Sequence, residues 1–164
     1  MNKLPHRKRT RLKEYDYSQY GYYFVTLCIK DRREFFSNII DYKVVLTEYG
    51  KILNEILKNL NRFYPVEVDY FVIMPDHIHL ILVLDNELSS IKNYSLSDII
   101  GKFKSFTTKK IREKLKPPNE FHWQTSFFDR IIRNEKEFYE IRKYIQENPI
   151  KWEIEKGNPE NLLM

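Results

Sequence analysis

The sequence predicts an α+β fold: an antiparallel sheet with helices on one face, and one additional helix at its C-terminal end. Three observations carry this. Apolar runs rich in β-branched and aromatic residues alternate with two stretches of helical period. Two of those runs, residues 66–74 and 77–84, are separated only by Pro75-Asp76, turn chemistry too short for anything but an antiparallel hairpin. A third stretch of helical period follows the last strand.

Gly21 opens Tyr22-Tyr23-Phe24-Val25-Thr26-Leu27-Cys28, which reads as the first strand. From about Leu46 the period lengthens. Ile52, Leu53, Ile56, Leu57 and Leu60 form one helical stripe, which must end before Pro65. Residues 66–74 alternate as a second strand and residues 77–84 form a third. In that third strand Ile78, Leu80, Leu82 and Leu84 are apolar on one side, and His77, His79, Ile81 and Val83 largely so on the other. Both faces are therefore covered, as in a central strand. Residues 85–94 are polar and loop-like. Ser95 with Asp98 resembles a capping box, and Leu96, Ile99, Ile100, Phe103 and Phe106 supply a second helix, stopped by Pro117-Pro118. Residues 121–132 read as a fourth strand, interrupted or bulged near Asp129-Arg130. Asn134 with Glu137 caps a last helix, whose buried stripe is Phe138, Ile141 and Ile145 and which Pro149 ends. The order β-α-β-β-α-β plus one helix is the ferredoxin-like split arrangement. It divides into a basic arm over residues 1–20, a single domain over 21–152 and a tail over 153–164. This arrangement hosts many functions and selects none.

Composition narrows the choice. The chain has 164 residues, 42% hydrophobic and 31% charged, enough for one folded domain with a real core. Four glycines leave no glycine-rich phosphate loop, and neither a nucleophile-elbow serine nor a CxxC pair is present. Cys28 is the only cysteine, so no intrachain disulfide forms. No secretion signal or membrane-length apolar run occurs, which sets a cytoplasmic location as the expectation. The net charge of +5 favours a polyanionic partner. It is concentrated in two runs: Lys3, Arg7, Lys8, Arg9, Arg11 and Lys13, then Lys102, Lys104, Lys109, Lys110, Arg112, Lys114 and Lys116 against the single acid Glu113. Either run alone serves equally as a solvated face.

Three groups of residues could carry chemistry. His77 and His79, spaced by two on a strand, point the same way roughly 6 to 7 Å apart, so both imidazoles can reach one metal ion. The plainer reading is two ordinary histidines at a strand entrance. Tyr144 and Asn148 are one turn apart on the last helix and project from one face, at the edge of its buried stripe. That position suits a cleft against the sheet, and also suits plain packing. Trp123 and Phe127-Phe128 could stack on bases, though core packing is the simpler role.

Read together, these motifs resemble a known family. Met74-Pro75-Asp76-His77-Ile78-His79-Leu80-Ile81 is similar to the HUH signature of the single-tyrosine transposases. Trp123-Gln124, Phe128-Asp129, Ile132-Arg133-Asn134-Glu135, Tyr144-Ile145 and Asn148-Pro149 resemble the REP-associated tyrosine transposase branch. The likeness runs from about Leu12 to about Trp152. Phe127-Phe128 stands where relatives commonly carry tyrosines. The resemblance implies that His77 and His79 bind a divalent ion, Mg²⁺ or Mn²⁺, with Asn148 as third ligand, and that Tyr144 is the nucleophile. It implies nicking and rejoining of single-stranded or hairpin DNA through a 5′-phosphotyrosine, by a monomer or a homodimer and without a membrane. Candidate DNA contacts are Arg7, Arg9, Arg11, Lys102, Lys104, Lys109, Lys110, Arg130 and Arg133. Two rivals are a non-catalytic nucleic-acid-binding module of RRM-like fold and a metal-dependent hydrolase that uses water.

Overall fold

The computed structural model describes residues 12–89 and 92–156. Its main sheet has four antiparallel strands in the order β4-β5-β1-β6. Here β1 is Gly21–Cys28, β4 is Val66–Ile73, β5 is His77–Leu84 and β6 is Phe128–Ile132. Strands β1 and β5 are central and pair along their full length, from Gly21 opposite Leu84 to Cys28 opposite His77. The β4–β5 hairpin carries one irregularity between Val68 and Tyr70. Edge strand β6 pairs with β1 from Tyr22–Ile132 to Thr26–Phe128.

Alternation on the central strands sorts side chains into two layers. Helices α1 (Glu48–Lys58) and α2 (Leu96–Lys114) cover one face. There Leu53, Leu57, Leu96, Ile99, Ile100 and Phe103 bury against Tyr23, Val25, Leu27, Ile78, Leu80 and Leu82. Helix α3 (Glu135–Lys156) covers the opposite face, where Ile141 and Ile145 close a smaller core with Phe24, Ile81 and Ile132. The predicted ferredoxin-like order is thus present, with the additional helix on the far side. Ser95 and Asp98 form the reciprocal capping box at the start of α2.

The structure differs from the sequence reading at four places. A second, two-stranded sheet precedes α1: β2 (Ser37–Ile40) and β3 (Lys43–Leu46) pair across Asp41-Tyr42. Both turn residues have positive φ, 50° and 63°, the tight-hairpin conformation for which Asn-Gly is the usual signal. The predicted fourth strand shrinks to β6. Upstream of it, Phe121 and Trp123 leave the ladder to bury against Phe36, and the Lys104 ammonium donates to the Gln124 and Ser126 carbonyls at 2.8 and 3.1 Å. No bulge interrupts Asp129-Arg130, which pair regularly with Val25 and Phe24. Phe106, expected in the core, is 44% exposed.

The fourth difference bears on function. Helix α3 continues through Pro149 instead of ending there. Proline removes one helical donor, but tertiary contacts hold the next two turns. Trp152 packs near His77, the Glu153 carboxylate accepts from the Tyr42 backbone N–H, and Lys156 pairs with Glu34 at 2.6 Å. No helix among the described residues is long and apolar enough to cross a membrane.

Candidate active site

The tight β4–β5 connection delivers His77 and His79 to the sheet face that α3 covers. Both are buried, yet they are not ordinary core histidines: their Nε2 atoms face one another at 3.1 Å. Each ring is held from behind. His77 Nδ1 lies 2.6 Å from Asp76 Oδ1, and Asp76 Oδ2 accepts from Arg32 Nε at 2.8 Å. His79 Nδ1 lies 2.7 Å from Thr26 Oγ1, which the β1–β5 register places opposite it. The Phe24 ring stacks on His79 with centroids 5.5 Å apart.

The electrostatics keep both rings available as ligands. Burial, helped by the neighbouring His77 and Arg32, pushes His79 down to about 3, so it is neutral at pH 7. Burial acts to raise Asp76, but its hydrogen bonds to His77 and Arg32 and their charges hold the carboxyl below the usual carboxylate range. An ionised Asp76 accepts from His77 Nδ1–H and leaves Nε2 with a free lone pair. The spacing suits a metal as well. Two nitrogen ligands on adjacent corners of a six-coordinate ion, with bonds of about 2.1 Å, stand about 3 Å apart. Among the described residues no group of three His, Cys, Asp or Glu side chains is placed to hold a metal. A third protein donor to this pair therefore has to be of another type, such as an amide oxygen.

Helix α3 lays three residues at four-residue steps along this pair. The Tyr144 ring sits 5.4 Å from that of His79 and 6.0 Å from that of Phe24, and remains 40% exposed. The Trp152 ring sits 6.1 Å from that of His77. Half-buried Asn148 is midway between them on the same helical face, and so is bracketed above the two imidazoles. The structure therefore gathers His77, His79, Tyr144 and Asn148 within one chain. Lys151 also belongs to this face, its ammonium 5.3 Å over the Tyr144 ring.

The candidate DNA contacts are more scattered. Arg7, Arg9 and Arg11 lie outside the described residues. Lys102 and Lys109 are exposed on α2, while Lys110 pairs with Glu113 at 3.6 Å. Lys104 is not on a solvent-facing stripe: burial lowers its pKa, and its ammonium is engaged by the carbonyls of Gln124 and Ser126. With Lys109, Arg112, His122 and Gln124 it lines a polar groove of about 750 Å³ beside α2. Arg130 and Arg133 are exposed near the corner between β6 and α3, where Glu137 bonds the Arg130 side chain and the Arg133 backbone. Trp123 is core, its indole N–H donating to Thr107 Oγ1 at 3.0 Å, whereas Phe128 is 45% exposed beside Phe24.

Sequence reasoning missed Thr26, Arg32, Phe24 and Trp152, and took Asp76 only for a turn residue. A lone threonine in an apolar strand carries no signal until the register is known. Arg32 follows Asp31 in the left-handed region, φ 53° and 63°, which turns its side chain back to Asp76 and Cys28.

Comparison with known proteins agrees with this geometry. The family model described as "Transposase IS200 like" matches residues 17–148. The chain is 33% identical over 167 residues to an uncharacterised protein of Haemophilus influenzae, covering 92% of each chain. It is 28% identical to the REP-associated tyrosine transposase of Escherichia coli over 142 residues, covering 82% of this chain and 70% of that one. The structure of a REP-associated tyrosine transposase bound to a REP hairpin superimposes with a TM-score of 0.60 at 25% identity, covering 86% of this chain and 72% of that one. The chain thus belongs to the IS200-like transposase family and is a tyrosine transposase, an enzyme that nicks and rejoins DNA.

Proposed function

We propose that this transposase is metal-dependent, acts on single-stranded or hairpin DNA, and works through a covalent 5′-phosphotyrosine on Tyr144. The observation that carries this is the Tyr144 ring 5.4 Å from His79, beside two imidazoles whose Nε2 atoms face one another. The hairpin bound by the structural relative makes hairpin DNA the first substrate to test.

The chain's own residues supply the chemistry as follows. His77 and His79 hold a divalent ion, Mg²⁺ or Mn²⁺, with Asn148 as an amide-oxygen ligand. Such an ion neutralises charge that develops on the phosphate oxygens. The Tyr144 phenol gives up its proton and its oxygen attacks phosphorus in line. A Tyr144 O–P bond forms, the bond to the preceding 3′-oxygen breaks, and that oxygen leaves as a 3′-OH after taking a proton. The new ester keeps the energy of the phosphodiester, so an incoming 3′-OH can reverse the step without ATP. Lys151 over the Tyr144 ring adds positive charge where the phenolate develops. Lys102, Lys109, Lys110, Arg130 and Arg133 are the phosphate contacts, joined by Lys104 along its groove and by Arg7, Arg9 and Arg11 of the arm. Exposed Phe128 offers a ring for base stacking.

One assay tests the whole reading. Labelled hairpin and single-stranded DNA are incubated with protein and Mn²⁺ or Mg²⁺, then separated under denaturing conditions. The expected result is a protein–DNA adduct that Tyr144→Phe abolishes while DNA binding survives, and that EDTA prevents. A mobility shift without adduct points to a binding module. Cutting that persists in Tyr144→Phe points to hydrolysis by water.

A further inference from the structure

The facing Nε2 atoms raise a question of hydrogen placement that has one solution for each state of the site. Ionised Asp76 can only accept, so His77 carries its hydrogen on Nδ1 and presents a bare Nε2. The 3.1 Å contact between the Nε2 atoms is then a hydrogen bond only if His79 donates from Nε2. In that tautomer His79 is bare at Nδ1, and the 2.7 Å contact requires the Thr26 hydroxyl to donate to it. A cation shared by the two rings demands the reverse. Both Nε2 atoms must then offer lone pairs, so His79 carries its hydrogen on Nδ1 and Thr26 must accept.

A hydroxyl serves both states without moving its oxygen. A carboxylate could only accept and an ammonium could only donate. We propose that Thr26 is a positioning residue that works as a tautomer switch for His79, while Asp76, anchored by Arg32, locks His77 in one tautomer. The inference rests on the reading of His77 and His79 as a cation site. The switch is balanced. One N–H bond breaks at His79 Nε2 and one forms at Nδ1, the proton passing through solvent and the charge of the ring staying the same. The Thr26 hydrogen rotates away from the ring towards solvent, which half-buried Thr26 reaches. The division of labour explains how two buried imidazoles stay satisfied when empty and still present two lone pairs when loaded. An unsatisfied buried pair would cost roughly 1–3 kcal/mol per group.

The test uses the full chain labelled with ¹⁵N-histidine, in which two-bond ¹H–¹⁵N spectra report which ring nitrogen carries the hydrogen. Without added ion, His79 is expected protonated at Nε2 and His77 at Nδ1. Saturation with Mg²⁺ moves the His79 hydrogen to Nδ1 and leaves His77 unchanged. Thr26→Val keeps the side-chain shape and removes the acceptor. It is expected to leave the ion-free tautomer in place and to weaken Mn²⁺ binding, measured by loss of the free-ion EPR signal, by about 10–100-fold. Thr26→Ser restores both. Finding His79 protonated at Nδ1 before any ion is added overturns the switch, as does undiminished Mn²⁺ affinity in Thr26→Val. If the valine variant fails to fold, the wild-type and Thr26→Ser spectra still decide the matter. A wild-type protein that binds Mn²⁺ without a change of tautomer refutes the switch alone; one that binds no Mn²⁺ refutes the cation site, and the switch with it.

Discussion

Gly50 sits in the first turn of α1 because no larger residue fits there. A Cβ at this position would lie 2.0 Å from the Phe36 carbonyl oxygen, a backbone atom that cannot swing aside. The Thr47 hydroxyl caps the same turn, accepting from Gly50 N–H and donating to the Phe35 and Phe36 carbonyls. The amides of Phe35 and Phe36 in turn bond the Pro75 carbonyl, in the turn that leads into His77. Gly50→Ala therefore strains the support of the histidines as well as the helix. It is expected to destabilise the chain by about 1–3 kcal/mol, read as a lower urea midpoint at unchanged slope. An unchanged midpoint rejects the argument. At this scale His77 and His79 were legible because strand alternation alone sends both one way. Their partners were not. Thr26 meets His79 across 53 positions of sequence, and only the β1–β5 register brings them together.

Among the elements, α3 shows most clearly where local rules lose to packing. Its cap and its Ile141-Ile145 stripe were readable, yet Pro149 marks an end that does not occur. The two turns beyond it dock on His77, on the β2–β3 turn and on Glu34, contacts that no local pattern announces. The hairpin β2–β3 escaped notice for a related reason: Asp41-Tyr42 adopts left-handed geometry without the glycine or asparagine that usually marks it. The overrun of α3 matters because Trp152 pins the helix at one end of the histidine pair while Tyr144 occupies the other. Trp152→Ala should let Tyr144 and Asn148 shift over the rings. Adduct formation is expected to slow by about ten- to a hundredfold, since small misplacements of a nucleophile are costly. DNA affinity, carried by cations elsewhere, should hold. An adduct rate equal to wild type removes Trp152 from the positioning argument.

The order of elements in the whole molecule was legible from periodicity and one short hairpin, because a β-α-β-β-α-β chain has few ways to cover one sheet. What periodicity could not supply was the face on which the last helix lands. The structure puts α3 opposite α1 and α2, so that sheet, histidines and tyrosine helix of one chain complete the site. This has a consequence for how copies of the protein work together. If nucleophile and metal ligands had to come from different chains, mixing a Tyr144→Phe variant with a His79→Ala variant would rebuild some intact sites. With both on one chain, every molecule in the mixture lacks half of its own site. The mixture is therefore expected to form no more adduct than either variant alone, at any ratio. Wild-type adduct rate per molecule should also be independent of protein concentration once DNA is saturating. Recovery of adduct on mixing would mean that α3 swaps between chains during the reaction, and the seating of Tyr144 beside its own His79 would then describe the resting enzyme only.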